Sequence, residues 1–134
     1  MLDASVTLNW FIDEEKGPLA LAAMALLVTG PAYVPALWHW EVRNGFLMAE
    51  RQGRTDIARV TADLAQLTKM DVRTAERTDW LCVVDLARRH GLTVYDASYL
   101  ALALDRNASL ATLDRALAQA AAAEGVPPLP QIPA

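Results

Sequence analysis

The chain has 134 residues, 54% apolar and 21% charged, with 16 Asp+Glu against 12 Lys+Arg and a net charge of −4. Its length and apolar content exclude disorder and fit one domain with one core, and its one cysteine excludes both an intramolecular disulfide framework and a Cys-rich zinc site. The acidic balance excludes a polybasic binder acting by charge alone, although a metal ion can invert the charge of a local site.

Asp3 stands directly after Met1 and Leu2 with no basic segment before it, so the start does not read as a signal peptide. The longest uncharged apolar run, Leu19 to Val28, is too short to span a bilayer. A cytoplasmic protein is expected, which suits a disulfide-free chain.

Leu2 opens the chain beside Asp3, and a helix is predicted from Ser5 to Ile12. Asp13 to Gly17 reads as a solvated turn. Pro18 suits the first turn of a second helix, which Thr29-Gly30-Pro31 stops. Tyr33 to Pro35 is a short strand. A long helix follows from Leu37 to Gln52, closed by Gly53. Thr55 or Asp56 caps the next helix, whose stripe is Ile57, Val60, Leu64 and Leu67. Asp71 to Arg73 is a weak strand. The next helix runs from about Ala75 to His90, with Trp80, Val83, Val84 and Ala87 on one side and Gly91 closing it. Leu92 to Tyr95 is the strongest strand pattern, and Asp96 opens a helix to about Arg106. Ser109 to Ala111 is a further strand, and Asp114 opens a helix to about Glu124. Val126 is assigned to a last edge strand, before a stiff tail with Pro127, Pro128, Pro130 and Pro133. The alternation gives an α/β fold with a short, largely parallel central sheet flanked by helices. One domain over residues 1–126 and a tail over 127–134 are expected.

Most acids, including Asp13, Glu14, Glu15, Asp63, Glu76, Asp79 and Asp85, fit outer helix faces or polar turns. Asp3, Glu41, Asp96 and Asp114 lie instead in apolar surroundings, where an unpartnered carboxylate is rare. Asp3, Asp96 and Asp114 fall where a strand gives way to a helix. In an open parallel sheet those points share the ligand-binding edge. Carboxylates gathered there repel one another unless a hard cation joins them, and oxygen-only ligation suits Mg²⁺ or Mn²⁺. Taken singly, each has an ordinary reading: Asp96 and Asp114 as N-caps, Asp3 as an exposed terminal residue, Glu41 as a surface residue.

Leu2-Asp3-Ala4-Ser5-Val6 resembles the opening motif of PIN-domain proteins. Pro35-Ala36-Leu37 followed by Glu41-Val42-Arg43-Asn44 resembles their second acidic motif. The stretch from Arg88 to Ala103, around Tyr95-Asp96-Ala97, is very similar to their third, and Leu110-Ala111-Thr112-Leu113-Asp114 to their fourth. The motifs extend over almost the whole chain, and the single domain most resembles the VapC-type toxins of toxin–antitoxin modules. Only Met1 and Leu2 precede Asp3, so either the first strand is very short or the given start omits residues.

The resemblance implies a PIN-like fold and a metal-dependent endoribonuclease that leaves 5′-phosphate and 3′-hydroxyl ends. It makes Asp3, Glu41, Asp96 and Asp114 the acidic site, with Asp3 and Asp96 as direct ligands of Mg²⁺ or Mn²⁺. Glu41 and Asp114 complete the site directly or through water. Ser5 and Thr112 match small hydroxyl positions, and Asn44, three residues after Glu41, shares its helix face and braces the site. It also implies an RNA substrate, a cognate antitoxin that inserts a basic segment into the acidic pocket, and a homodimer, with no membrane.

Ten of the 12 basic residues are Arg, and Arg115 is the candidate phosphate contact. Cys82 lies in an apolar helical pattern and reads as core; His39 and His90 lack a zinc-ligand pattern. Trp38 and Trp40 read as packing or interface residues rather than base-stacking ones. Two other classes stay open: a PIN-fold binding or scaffold module with an incomplete site, and a phospho-acceptor domain. The phospho-acceptor reading lacks paired acids after the first strand.

Overall fold

The structure is a computed structural model that describes residues 1–75 and 78–129. Glu76 and Arg77 lie outside the described residues, as does the tail from residue 130 onward. The element order is α1 (Ala4–Phe11), α2 (Pro18–Leu27), β1 (Ala32–Val34), α3 (Leu37–Arg51), α4 (Ile57–Leu67), β2 (Val72–Thr74), α5 (Trp80–His90), α6 (Val94–Asp105) and α7 (Arg115–Ala123).

Local chemistry sets the helix ends. The side chains of Asp56, Asp79 and Asp114 accept from the backbone N–H three residues on, so each cap satisfies a donor the helix leaves open. Pro18 occupies the first turn of α2, and Gly91 closes α5 with φ 63°, a backbone conformation that favours glycine.

The predicted parallel sheet is present but small. β1 and β2 pair in parallel, with Tyr33 opposite Arg73. Leu2 forms a parallel bridge with Ala111, and its N–H donates to the Tyr33 carbonyl at 3.1 Å. The chain start therefore lies between Ala111 and β1. The short first strand expected from the sequence is this one bridged residue. Its brevity still places Asp3 where extended backbone turns into α1.

The helices bury this row of short strands. Val6, Val34, Val42 and Leu100 are fully buried where α1, β1, α3 and α6 converge. Trp38 is buried too, its Nε1 donating to Thr7 Oγ1 at 3.2 Å, and Trp10 Nε1 donates to the Ala20 carbonyl at 2.7 Å. These two bonds tie α1 to α3 and α2 while satisfying each indole.

Several sequence expectations are corrected. Leu92 to Tyr95 is not a strand: Thr93 caps α6, and Val94 and Tyr95 form its first turn with their side chains exposed. A short apolar run is compatible with either state, and the left-handed turn at Gly91 followed at once by a cap leaves no extended run. Ser109 to Ala111 contributes one bridge, at Ala111, rather than a full strand. Val126 is not in a strand; its N–H closes the end of α7 on the Ala121 carbonyl. α5 begins at Trp80 rather than near Ala75. In α4 Leu67 is buried but Ile57 is exposed, and Asp63, read as an outer acid, is buried beside Arg59 at 3.3 Å. At the start of the tail, the Pro128 carbonyl accepts from Ser109 Oγ at 3.1 Å and Leu129 packs against the core. Among the described residues, no helix is long and apolar enough to cross a membrane.

Candidate active site

Asp3 sits at the N-cap position of α1 but does not cap it. Its Oδ2 instead accepts from Ser5 Oγ at 2.6 Å and from Thr112 Oγ1 at 2.7 Å. Each hydroxyl is fixed in turn by a backbone donor: Leu113 N–H to Ser5 Oγ and Asp114 N–H to Thr112 Oγ1, both 3.0 Å. Asp3 is only 6% exposed. Among the described residues nothing hydrogen-bonds its Oδ1, which leaves one oxygen held and the other available. The two hydroxyl residues come from opposite ends of the chain and lock one carboxylate.

Glu41 enters from α3, half-buried. Its Oε1 accepts from the Tyr99 hydroxyl at 2.7 Å. Burial raises the Glu41 pKa; the Tyr99 bond opposes the rise, and the charges of Asp3 and Asp96 add to it. Tyr99 is fully buried, and burial together with Glu41 pushes its hydroxyl far above the ordinary phenol range. It is a permanent donor.

Asp96 lies in the first turn of α6 rather than at its cap, which Thr93 supplies by accepting from Asp96 N–H at 3.1 Å. Its carboxylate is thereby spared capping duty. Burial raises its pKa first, then the charges of Asp114 and Asp3, with the Thr93 hydroxyl opposing. Asp114 caps α7 through Oδ1, accepting from Leu117 N–H at 2.8 Å, and is exposed. The four acids thus lie in one electrostatic neighbourhood, with Asp3 acting on both Glu41 and Asp96.

The donor set is all oxygen, which fits a hard divalent cation. Among the described residues, no three His, Cys, Asp or Glu side chains form a ready ion cage.

The other sequence candidates separate. Ser5 and Thr112 join Asp3 directly. Asn44 is exposed, and among the described residues the brace on Glu41 comes from Tyr99 instead. Arg115 is exposed at the start of α7. Tyr99 was missed as a site residue, although its place three residues after Asp96 puts both on one helix face. Trp38 is core, whereas Trp40 is 76% exposed. Cys82 is half-buried, with its thiol pKa raised by burial. His39 Nε2 pairs with Thr74 Oγ1, and His90 Nε2 with Glu124, both at 2.7 Å. A cavity of about 720 Å³ between Cys82 of α5 and Ala101 of α6 is lined, among the described residues, by none of the four acids.

No curated protein matches the chain. Among solved structures, the crystal structure of PAE2754 from Pyrobaculum aerophilum is 27% identical, with a TM-score of 0.67, covering 89% of this chain and 82% of that one. A family signature described as the PIN domain matches residues 1–123, and so takes in all four acids. The chain therefore belongs to the PIN-domain family, whose fold is of the nuclease type.

Proposed function

We propose that the protein is a Mg²⁺- or Mn²⁺-dependent endoribonuclease, the toxin of a type II toxin–antitoxin module. The observation that carries this reading is Asp3. A nearly buried carboxylate is held on one oxygen by two oriented hydroxyls and lies within the field of two further acids. Family membership supports the nuclease class.

In this reading Asp3 and Asp96 hold the cation, and Glu41 and Asp114 complete its surroundings directly or through water. A bound divalent cation supplies charge stabilisation at the phosphate oxygens and acidifies a coordinated water. Ser5 and Thr112 fix the rotamer of Asp3, so its free oxygen meets the ligand without reorganising. Tyr99 fixes Glu41 in the same way. Glu41 or Asp114 orients the attacking water. Arg115 meets a phosphate of the RNA. A cognate antitoxin with a basic segment, a homodimeric state, a cytoplasmic location and a domain ending at residue 126 belong to the same proposal.

The test is incubation of the purified protein with total RNA and Mg²⁺ or Mn²⁺, followed by mapping of the new ends. Metal-dependent cuts with 5′-phosphates, abolished in Asp96→Asn, are expected. No cleavage across diverse RNAs with either ion defeats the reading. Cleavage that survives Asp96→Asn moves the site elsewhere. A second reading, a PIN-fold scaffold with an incomplete site, is favoured by the lack of a ready three-ligand cage among the described residues. It predicts no change in melting temperature on adding Mn²⁺.

A further inference from the structure

An apolar pocket backs the acidic site. Leu2 and Ala111, the two bridged residues, line it together with Trp10 of α1 and Leu26 and Leu27 of α2. Each bridged residue stands one position before a site residue, Asp3 or Thr112, and successive side chains of extended backbone point to opposite sides. The pocket therefore shares its wall with the site and none of its acids. Its volume is about 90 Å³, room for about three waters at ~30 Å³ each. The described residues that line it carry no charge and no hydroxyl, so water finds few partners there and an aliphatic side chain suits the space better.

The C-terminal tail leads to this pocket. The Pro128 carbonyl accepts from Ser109 Oγ at 3.1 Å, which fixes the tail two residues from Ala111. Leu129, the last described residue before the end of the chain, lines the pocket and packs against the core. From Val126 to Ala134 the sequence holds no charged residue, and Gln131 is its one polar side chain. Pro127, Pro128, Pro130 and Pro133 favour an extended polyproline helix, which turns once in about three residues and rises about 3.1 Å per residue. In that conformation Ile132 falls on the face of Leu129, roughly 9 Å further along, and Gln131 does not.

We propose that this pocket is the seat of the chain's own tail: Leu129 holds its rim, Ile132 fills it, and residues 130–134 form a strap behind the bridge between Leu2 and Ala111. Two observations select this occupant over a foreign one, the position of Leu129 on the pocket and the apolar, uncharged match between tail and lining. The strap bears on the site. Asp3 N–H donates to the Ala111 carbonyl and Ala111 N–H to the Met1 carbonyl, both at 2.9 Å. A filled pocket resists the parting of these two segments, and with it the separation of Asp3 from Thr112. The strap acts without metal or RNA.

The test is NMR of the methyl-labelled full chain, joined to melting curves of two variants. Nuclear Overhauser contacts from the Ile132 methyl groups to those of Leu2 and Leu27 are expected. Ile132→Asp should lower the melting temperature by about 4 °C, the shift that partial burial of one aliphatic side chain gives in a domain of this size. In the same variant the amides of Asp3 and Ala111 should exchange about fivefold faster, with a smaller change at Leu100 in α6. Gln131→Asp, off the seated face, should alter neither quantity. Absence of contacts from Ile132 to the pocket overturns the proposal, as does an Ile132→Asp protein that melts and exchanges like the parent. Equal losses in Gln131→Asp and Ile132→Asp overturn it too, since they would reflect charge on the tail rather than a seated side chain. Contacts that arise only between differently labelled molecules give the pocket to the tail of a second copy and reject the strap.

Discussion

The Tyr99 hydroxyl donates to Glu41 Oε1 at 2.7 Å, joining residues 58 positions apart. Tyr99 has no exposure and no alternative role as an acid, because burial and Glu41 keep its proton in place. It holds one oxygen of Glu41, a carboxyl group that also feels the charges of Asp3 and Asp96.

Tyr99→Phe removes this donor while keeping the ring. Glu41 is left half-buried with an unpaired oxygen, so stability should fall by about 1–2 kcal/mol in urea denaturation. Cleavage should fall roughly 10-fold, the usual effect of losing a group that orients a ligand carboxylate. Since Glu41 loses the bond that favours its charged form, the acid limb of the pH–rate profile should move up. An unchanged limb would make Tyr99 a packing residue only.

The raised pKa values of Glu41 and Asp96 make a metal-free signature. Both groups bind protons more readily folded than unfolded. Their contribution to stability is therefore greatest below the unfolded values, 4.5 and 3.8, and declines as pH rises through the folded ones. Asp96→Asn removes a repelled charge and should raise the melting temperature at pH 7 without metal. In the native protein Mn²⁺ should raise it as well, and Asp96→Asn should lose most of that gain. A variant less stable than the parent in metal-free buffer at pH 7 would argue that Asp96 is structural.

Asp114 carries two duties that substitution can separate. It caps α7 by accepting from Leu117 N–H and contributes to the field at Asp96. Asp114→Asn keeps a capping oxygen, so unfolding should change by only a few tenths of a kcal/mol while cleavage drops. Asp114→Ala should also lose about 1 kcal/mol of stability. Equal cleavage by Asp114→Asn and the parent would confine the residue to capping.

Gly45→Ala tests the close approach of α1 and α3. Alanine favours the helix by about 1 kcal/mol. Against this, its Cβ would lie 2.6 Å from Leu8 Cδ2 and 3.0 Å from Leu8 Cγ, so the whole branched end of Leu8 must move rather than one methyl. Leu8 is half-buried and meets the added Cβ with the end of a flexible side chain, so it can turn aside, and a stability within about 1 kcal/mol of the parent is expected in denaturant melts. A loss of more than about 2 kcal/mol would mean that Leu8 is locked in place between α1 and α3.

Much of this molecule is legible along the chain because the signals are local. Asp56 and Asp114 cap helices where a short acceptor precedes an apolar period, and Gly91 stops α5 for lack of a Cβ. The four acids were singled out by a contrast equally local, a carboxylate in an apolar run. Their motifs also carried the PIN resemblance that the match over residues 1–123 bears out. What the sequence left undecided depends on distance through space. Leu92 to Tyr95 has strand-like residues, yet Thr93 and the turn at Gly91 commit it to a helix start. Asp63 looks like an outer acid until α4 packs and buries it. Asn44 shares a helix face with Glu41, but the brace comes from Tyr99 of another helix, which no spacing within α3 can reveal. The sequence by itself determined most of the helices and the caps at Asp56 and Asp114, since these follow from bonds within a few residues. Only the tertiary structure decided which oxygen of Asp3 is held and which is free. That depends on Ser5 and Thr112 arriving together from positions 107 apart, brought there by one bridge between Leu2 and Ala111.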